Sequence, residues 1–451
     1  MSISILQHSA IGDGETNSTA AIQRAIDVCA DAGGGTVLVP AGRFVTGTLW
    51  LRSNITLHLE AGAVLLGSQN VDDFPLWTSK WEGPASTTRA ALISGENLDN
   101  VAITGRGMID GRGQMWWRMM RQLESSMKII RPRLIRLVDC RNVLFEGVTL
   151  TNSPAWTLNP LACDNVMIRG LTVINPPDSP NTDGINPDSC RNVRISDCHI
   201  DVGDDCVTIK SGSEDQPRRE YRACENVVVT NCTMIHGHGG VVIGSEMSGG
   251  VRNVAISNCT FVGTDRGIRI KSRRGRGGVV EDIRVSNIVM DQVLCPLAIN
   301  LFYGCGAWDD PKVLDKSPKP VDETTPRFRR LRFSNITARR AKYSACFVIG
   351  LPEHSVEDIA YSDVSIYLDE DNTEAGESDM APGIEKLCRA GFVIRNVDGL
   401  RLDNVQVNGQ IGPAVRVHDS RDVVLTNVAT RTPIDGPPIV LENTVAARLV
   451  P

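Results

Sequence analysis

The sequence predicts an all-β fold, a right-handed parallel β-helix closed by an N-terminal helix. Three observations predict it: a short motif that returns along most of the chain, period-two alternation of apolar residues inside each copy, and no long helical periodicity between copies. The motif reads Asn or Asp, then apolar residues at alternate positions, then Asn, Asp or Gly before a further apolar residue. It recurs as DNVAITGRGMI, RNVLFEGVTL, DNVMIRGLTV, RNVRISDCHI, ENVVVTNCTM, RNVAISNCTF, EDIRVSNIVM, RRLRFSNITA, EDIAYSDVSI, DGLRLDNVQV and RDVVLTNVAT. Successive copies begin about 23 to 49 residues apart, the range of solenoid coils with loops of variable length. Leucine does not dominate the copies, which disfavours a leucine-rich repeat, and each holds too few strands for a propeller blade.

The first element is a cap, about residues 1–35. A stack of coils has an open end that needs cover. STAAIQRAIDVCADAGGG supplies a helix whose Ser18 or Thr19 caps it, whose Ile22, Ala25, Ile26 and Cys29 form one apolar stripe, and which Gly33 to Gly35 end. Coils follow from about residue 36 to 449, so residues 1–451 read as a single domain. Two stretches, about 73–92 and 304–326, break the repeat and are rich in Trp, Pro and charge. Loops of that length beside a regular scaffold often carry function.

Composition narrows the partners. A net charge of −6 argues against a nucleic-acid binder, and no apolar run approaches the roughly 20 residues needed to span a bilayer. Thirteen cysteines sit singly inside strand-like runs such as ISDCHI and ISNCTF, as reduced core residues do. Cys206 is one of these rather than a nucleophile. The N-terminus shows no secretory leader pattern, so the expected compartment is the cytoplasm. No cofactor and no metal are implied, and the oligomeric state is left open.

One coil carries an anomaly. DVGDDCVTIKSG places adjacent carboxylates, Asp204 and Asp205, at the start of a buried-looking strand, where bare charges are costly unless paired, solvated or used. Gly203 suggests a bend or bulge that brings both into a cleft. Asp204 lies 12 positions after the repeat Asn192, and His238 lies 12 after Asn226. The coil before contributes Asp183 in SPNTDGINP, and the coil after contributes Arg269 and Lys271 in GIRIKS. Arg269 and Lys271, two apart on a strand, share one face, while Ile268 and Ile270 point inward. Clustered carboxylates do not all ionise easily, which suits one protonated acid and one ionised base. Glycosidic cleavage by inversion needs that pair about 6.5 to 9.5 Å apart. The neighbouring cations suit a carboxylate on the sugar.

Taken singly, each feature has an ordinary explanation: a solvated turn for GDD, a loop residue for His238, a solvent face for Arg269 and Lys271. Their registration on neighbouring coils changes that weighting. The set NTD (181–183), GDDC (203–206), GHG (237–239) and RIK (269–271), in this order on a β-helix repeat, resembles the polygalacturonases of glycoside hydrolase family 28, and the resemblance covers nearly the whole chain. It implies hydrolysis of α-1,4-linked galacturonic acid in an anionic oligo- or polygalacturonate. It further implies Asp204 as general acid, Asp183 and Asp205 as the pair that activates water, and His238 in support of the acid. Arg269 and Lys271 would hold a galacturonate carboxylate, and Asn181 would orient the site and contact substrate.

Arg274, in the KSRRGRGG run directly after Lys271, and Tyr303, in NLFYG, are expected as further substrate contacts. GSEMSGG (244–250) and this arginine run depart from the fungal endo-acting pattern, which disfavours an endo assignment, and the short imported oligogalacturonides expected in the cytoplasm favour release of galacturonate from chain ends. Trp116 and Trp117 suit a sugar platform or an apolar contact equally. Three alternatives stay open at this point: a rhamnogalacturonan or substituted-galacturonan hydrolase, a calcium-dependent pectate lyase, and a non-catalytic carbohydrate-binding solenoid.

Overall fold

The computed structural model describes residues 1–78, 87–122, 130–214 and 221–450. It is a right-handed parallel β-helix, in two compact units. The first holds Met1–Thr208 with residues 221 and 222, and the second holds Ile209–Glu214 with Ala223 onward.

In the first unit, Ser2–Ser4, Gly35–Val39, Ile55–Leu59, Asp99–Gly105, Arg141–Glu146, Asp164–Arg169 and Arg191–Ser196 pair in parallel, each on the next. The alternation inside each copy sets which residues face inward. Val37, Leu57, Ile103, Phe145, Ile168 and Ile195 are partners in register and are all buried. Each fully buried side chain of this kind contributes about 1.5–3 kcal/mol relative to exposure. A one-residue slip would turn the whole row outward.

The repeat asparagine has a conformational cause. Asn54, Asn100, Asn142 and Asn165 take φ of 61°, 56°, 55° and 55°, the left-handed region that asparagine tolerates better than most side chains. Each side-chain amide then bonds the next coil: Asn100 Nδ2 donates to Asn54 Oδ1 at 2.9 Å, Asn142 to Asn100 at 3.2 Å and Asn165 to Asn142 at 2.7 Å. The motif therefore encodes a corner and a ladder at once.

The helix Thr19–Asp31 buries Ala21, Ile22, Ala25, Ile26 and Cys29, the expected stripe with one added alanine. It packs on Ser2–Ser4, Gly35–Val39 and neighbouring strands, as a cap does. Ser18 stands at the N-cap without a side-chain cap bond; its hydroxyl is used by Ile11, and Asn17 Oδ1 accepts from the Thr19 N–H instead. A second helix, Gln114–Gln122, was not expected from the periodicity. It buries Trp116 against Phe74 and Trp117 with its indole N–H on the Ser153 carbonyl, so both tryptophans are core contacts. Of the 73–92 excursion, residues 79–86 lie outside the described residues; Trp77 packs edge-on against Trp50.

In the second unit the strands lengthen. Val251–Val262, Val279–Asp291, Arg327–Ala341, Val356–Leu368, Val397–Asn408 and Arg421–Ala429 stack in parallel, with Ile283, Leu331, Ile359, Leu400 and Val423 in register and buried. Their outer residues alternate with solvent. A second stack behaves differently: Val241–Ile243, Arg266–Lys271, Cys295–Asn300 and Ser344–Ile349 are buried at every residue. Something roofs their outer face. Part of the cover is the segment 369–389, which the repeat pattern also skips: Glu377 to Met380 bond Arg266, Arg269, Asn300 and Ser344. No helix among the described residues is long and apolar enough to cross a membrane.

Candidate active site

In the first unit the two carboxylate motifs are brought together by backbone pairing. The Gly184 N–H donates to the Asp205 carbonyl at 3.0 Å, and the Ile185 N–H donates to the Cys206 carbonyl at 2.9 Å. Asp183 and Asp205 thus occupy neighbouring coils. Of the bend or bulge that Gly203 suggested, the structure has the bend: Asp204 and Asp205 lie between His199–Val202 and Val207–Ile209. Gly203 is needed there for close approach, since a Cβ would stand 2.4 Å from the Ser179 carbonyl oxygen and 2.7 Å from that of Pro176.

One oxygen from each of Asp183, Asp204 and Asp205 lies within 4.8 Å of the others. That is tighter than the 6.5 to 9.5 Å or so expected of an inverting pair. Asp183 and Asp205 are buried, at 3% and 2% exposure, while Asp204 is half-buried. Asp183 Oδ2 accepts from Asn186 Nδ2 at 2.8 Å and from the Thr208 hydroxyl at 3.4 Å. Asp204 accepts the Asp205 N–H on Oδ1 at 2.9 Å and Asn181 Nδ2 on Oδ2 at 3.5 Å. Asn181 therefore reaches the carboxylates.

Sequence reasoning missed Arg131. Its Nη2 donates to Asn181 Oδ1 at 2.6 Å, and its Nη1 donates to the carbonyls of Pro154 and Pro180 at 2.9 and 2.7 Å. Burial pulls the guanidinium down from its ordinary range, against the attraction of Asp183 and Asp204. Arg131 holds Asn181 and places a positive charge near the carboxylates. It sits in IIRPRL, between repeats, where no register marks it.

In the second unit, His238 is exposed on the turn between Thr233–His236 and Val241–Ile243. Arg269 and Lys271 share a face, as expected: both cations lie against the Tyr303 ring, 5.3 and 4.9 Å from its centroid, while Ile268 and Ile270 are in the core. Neither cation is solvated; their exposures are 1% and 4%. Arg269 donates Nε and Nη2 to Oδ1 of Asp379, at 2.9 and 2.6 Å. Burial works to raise the Asp379 pKa, but Arg269 and Arg266, with Lys271, outweigh it and hold the carboxyl below its usual range. Asp379 is the second residue the sequence reading missed, because its segment has no repeat to align.

Arg274 differs from expectation. Nε and Nη2 grip the two oxygens of Glu353 at 2.6 and 2.8 Å, Nη1 donates to the carbonyls of Lys312 and Asp315, and Nη2 also donates to that of Ser317 at 3.0 Å. All five N–H groups are used. Arg274 pins the 304–326 excursion and is not available to a sugar carboxylate. Within GSEMSGG, Glu246 accepts from Lys210 Nζ at 2.7 Å; burial raises its pKa, but Lys210 and Arg276 bring it well below the carboxylate range.

In the first unit the three carboxylates, with Asn181 and Arg131 beside them, suit acid–base chemistry, and in the second Arg269 and Lys271 on the Tyr303 ring suit an anionic group. Comparison with known proteins agrees with that chemistry. The family model for glycosyl hydrolases family 28 matches residues 29–379. A probable polygalacturonase of Vitis vinifera is 35% identical over 379 residues, covering 81% of this chain and 74% of that protein. An endo-polygalacturonase of Pectobacterium carotovorum is 32% identical over 303 residues, 64% of this chain and 73% of that one. The crystal structure of a hyperthermoactive exopolygalacturonase from Thermotoga maritima superposes with a TM-score of 0.73 at 29% identity, covering 91% and 92% of the two chains. A family match over residues 29–379, with a relative 35% identical over 81% of the chain, means that the chain belongs to glycosyl hydrolases family 28 and is a glycosidase.

Proposed function

We propose that this chain hydrolyses the α-1,4 linkage of galacturonic acid chains, from the chain end and with inversion. The observation that carries the reading is the cluster of Asp183, Asp204 and Asp205, with oxygens within 4.8 Å of one another. Asp204, the half-buried member, donates a proton to the leaving oxygen. The buried Asp183 and Asp205 share the activation of water. His238 supports the protonation state of Asp204, and Asn181, fixed by Arg131, orients the site. Arg269, Lys271 and Tyr303 take the carboxylate-bearing ring, since the reacting sugar is an anion and both cations lie on one aromatic face. The polygalacturonase names of the relatives support the substrate class. The roofed stack Arg266–Lys271, Cys295–Asn300 and Ser344–Ile349 supports action at a chain end, because a cleft covered on one side admits an end more readily than an interior stretch. Thirteen free cysteines support a reducing compartment, where short oligogalacturonides would be the substrate.

A second reading of the stereochemistry has an observation behind it. Carboxylates about 5 Å apart are the usual spacing of retaining glycosidases. We favour inversion because Asp183 and Asp205 are both buried and act as a pair on water, which leaves no exposed nucleophile beside the acid. Proton NMR of tetragalacturonate digestion, with a chelator present, tests the whole reading. Saturated monogalacturonate formed first as the β-anomer supports it. The α-anomer assigns retention, mid-length products assign endo action, and products with an unsaturated ring sink hydrolysis altogether.

A further inference from the structure

The residue that holds Arg269 comes from outside the repeat. Asp379 lies between the strands Val356–Leu368 and Ala390–Arg395, and its side chain has no solvent exposure. Its neighbours are tied to the strand that carries the cations, Arg266–Lys271, and to the end of the strand beside it, Cys295–Asn300. The guanidinium of Arg266 donates to the carbonyls of Ser378 and Glu377 at 3.0 and 2.7 Å. The Met380 carbonyl accepts the Gly304 N–H at 2.8 Å and Asn300 Nδ2 at 3.3 Å. Asp379 is thus clamped on both flanks before it meets Arg269.

Two features of this contact bear on substrate. First, both Arg269 donors that face Asp379 fall on Oδ1, which commits the Nε and Nη2 edge and fixes the guanidinium plane against Tyr303. Second, one carboxylate stands among three cations, Arg266, Arg269 and Lys271, all of which lower its pKa. Unpaired cations at 7%, 1% and 4% exposure would be costly to fold; Asp379 beside all three, and Asp265 at 3.3 Å from Arg266, offset that cost, and three cations against these two carboxylates still leave an excess of positive charge. A net positive, rigid group is what an anionic sugar requires.

We propose that Asp379 is the positioning residue of the carboxylate-binding pair: it acts on substrate only through Arg269, by fixing that guanidinium where a galacturonate carboxylate docks. The proposal rests on the assignment of Arg269 to the substrate carboxylate.

The test is steady-state kinetics on tetragalacturonate with Asp379→Asn, Asp379→Glu, Arg269→Gln and the double variant Asp379→Asn/Arg269→Gln. Asp379→Asn raises KM about tenfold with kcat within about threefold, the size expected when a charge-assisted hydrogen bond is lost. Asp379→Glu, which keeps the charge, recovers most of that loss. In the Arg269→Gln background, adding Asp379→Asn changes KM by less than about twofold, since the effect has no other route. An unchanged KM in Asp379→Asn, or an equal increase in both backgrounds, overturns the proposal while leaving the substrate reading intact. If Arg269→Gln itself leaves KM unchanged, the substrate reading fails and this proposal with it. Should Asp379→Asn alone not fold, the double variant against Arg269→Gln decides: equal KM supports the proposal, and a further increase overturns it.

Discussion

The backbone N–H of Asp205 donates to Oδ1 of Asp204 at 2.9 Å, so the first carboxylate of the pair is fixed by the peptide of the second. Asp204 is half-buried and Asp205 is buried at 2% exposure. Adjacent residues thereby serve opposite surroundings, which a regular strand would also do but without the shared tether.

An Asp204→Asn variant tests the acid. The amide keeps an oxygen to accept the Asp205 N–H, so the bend survives and the melting temperature stays within a few degrees. Turnover of tetragalacturonate falls about 10²- to 10⁴-fold, the usual contribution of a general acid, with KM nearly unchanged. Loss of less than about tenfold would remove Asp204 from the chemistry.

Gly203→Ala probes the bend itself. The added methyl group would lie 2.4 Å from the Ser179 carbonyl oxygen, in a buried position with no room to yield. Destabilisation of about 1–3 kcal/mol in urea unfolding is expected, with activity lost beyond what the unfolded fraction explains. A variant as stable and active as the parent would show that the approach to Ser179 is not what selects glycine.

The asparagine corners carry two separable effects. Asn287 has φ of 57°, donates to Asn258 at 3.0 Å and accepts from Asn335 at 2.8 Å. Asn287→Gly removes the ladder bonds and keeps the conformation; Asn287→Ala removes the bonds and adds left-handed strain of roughly 1–2 kcal/mol. Chemical denaturation should rank parent above Gly above Ala. Equal stability of the two variants would dismiss the conformational term.

Lys316 gives a pH dependence with a definite sign. Its ammonium lies 4.0 Å from the Phe302 ring centroid, and burial with repulsion from Arg274 lowers its pKa from 10.5 to about 8. Between pH 8 and about 10.5 the unfolded chain therefore binds more protons at this residue than the folded one, and its contribution to stability rises with pH across that window. Below pH 8 both states are protonated and the penalty is constant. Comparing parent and Lys316→Met by denaturation at pH 7.5 and 9.5 isolates the effect: the parent gains relative to the variant at the higher pH. An unchanged difference would mean that Lys316 titrates normally.

The repeat, the capping helix and the four ordered motifs were legible in the sequence because they depend on short-range rules. Alternation fixes which side of a strand meets the core, asparagine marks a left-handed corner, and equal spacing from that corner carries a side chain to the same place on successive coils. Asp204 and His238 are marked by that spacing, each 12 positions after its repeat asparagine, and Arg269 and Lys271 by strand alternation. What only the tertiary structure decided came from segments without register. Arg131 bonds Asn181 from a stretch between repeats, and Asp379 reaches Arg269 across 110 positions of sequence. Arg274, three residues past the strand Arg266–Lys271, turns away to Glu353. A solenoid predicts its coils because each contacts mainly its neighbours, whereas an excursion is placed by whichever buried charge it neutralises, and nothing in its own spacing names that partner.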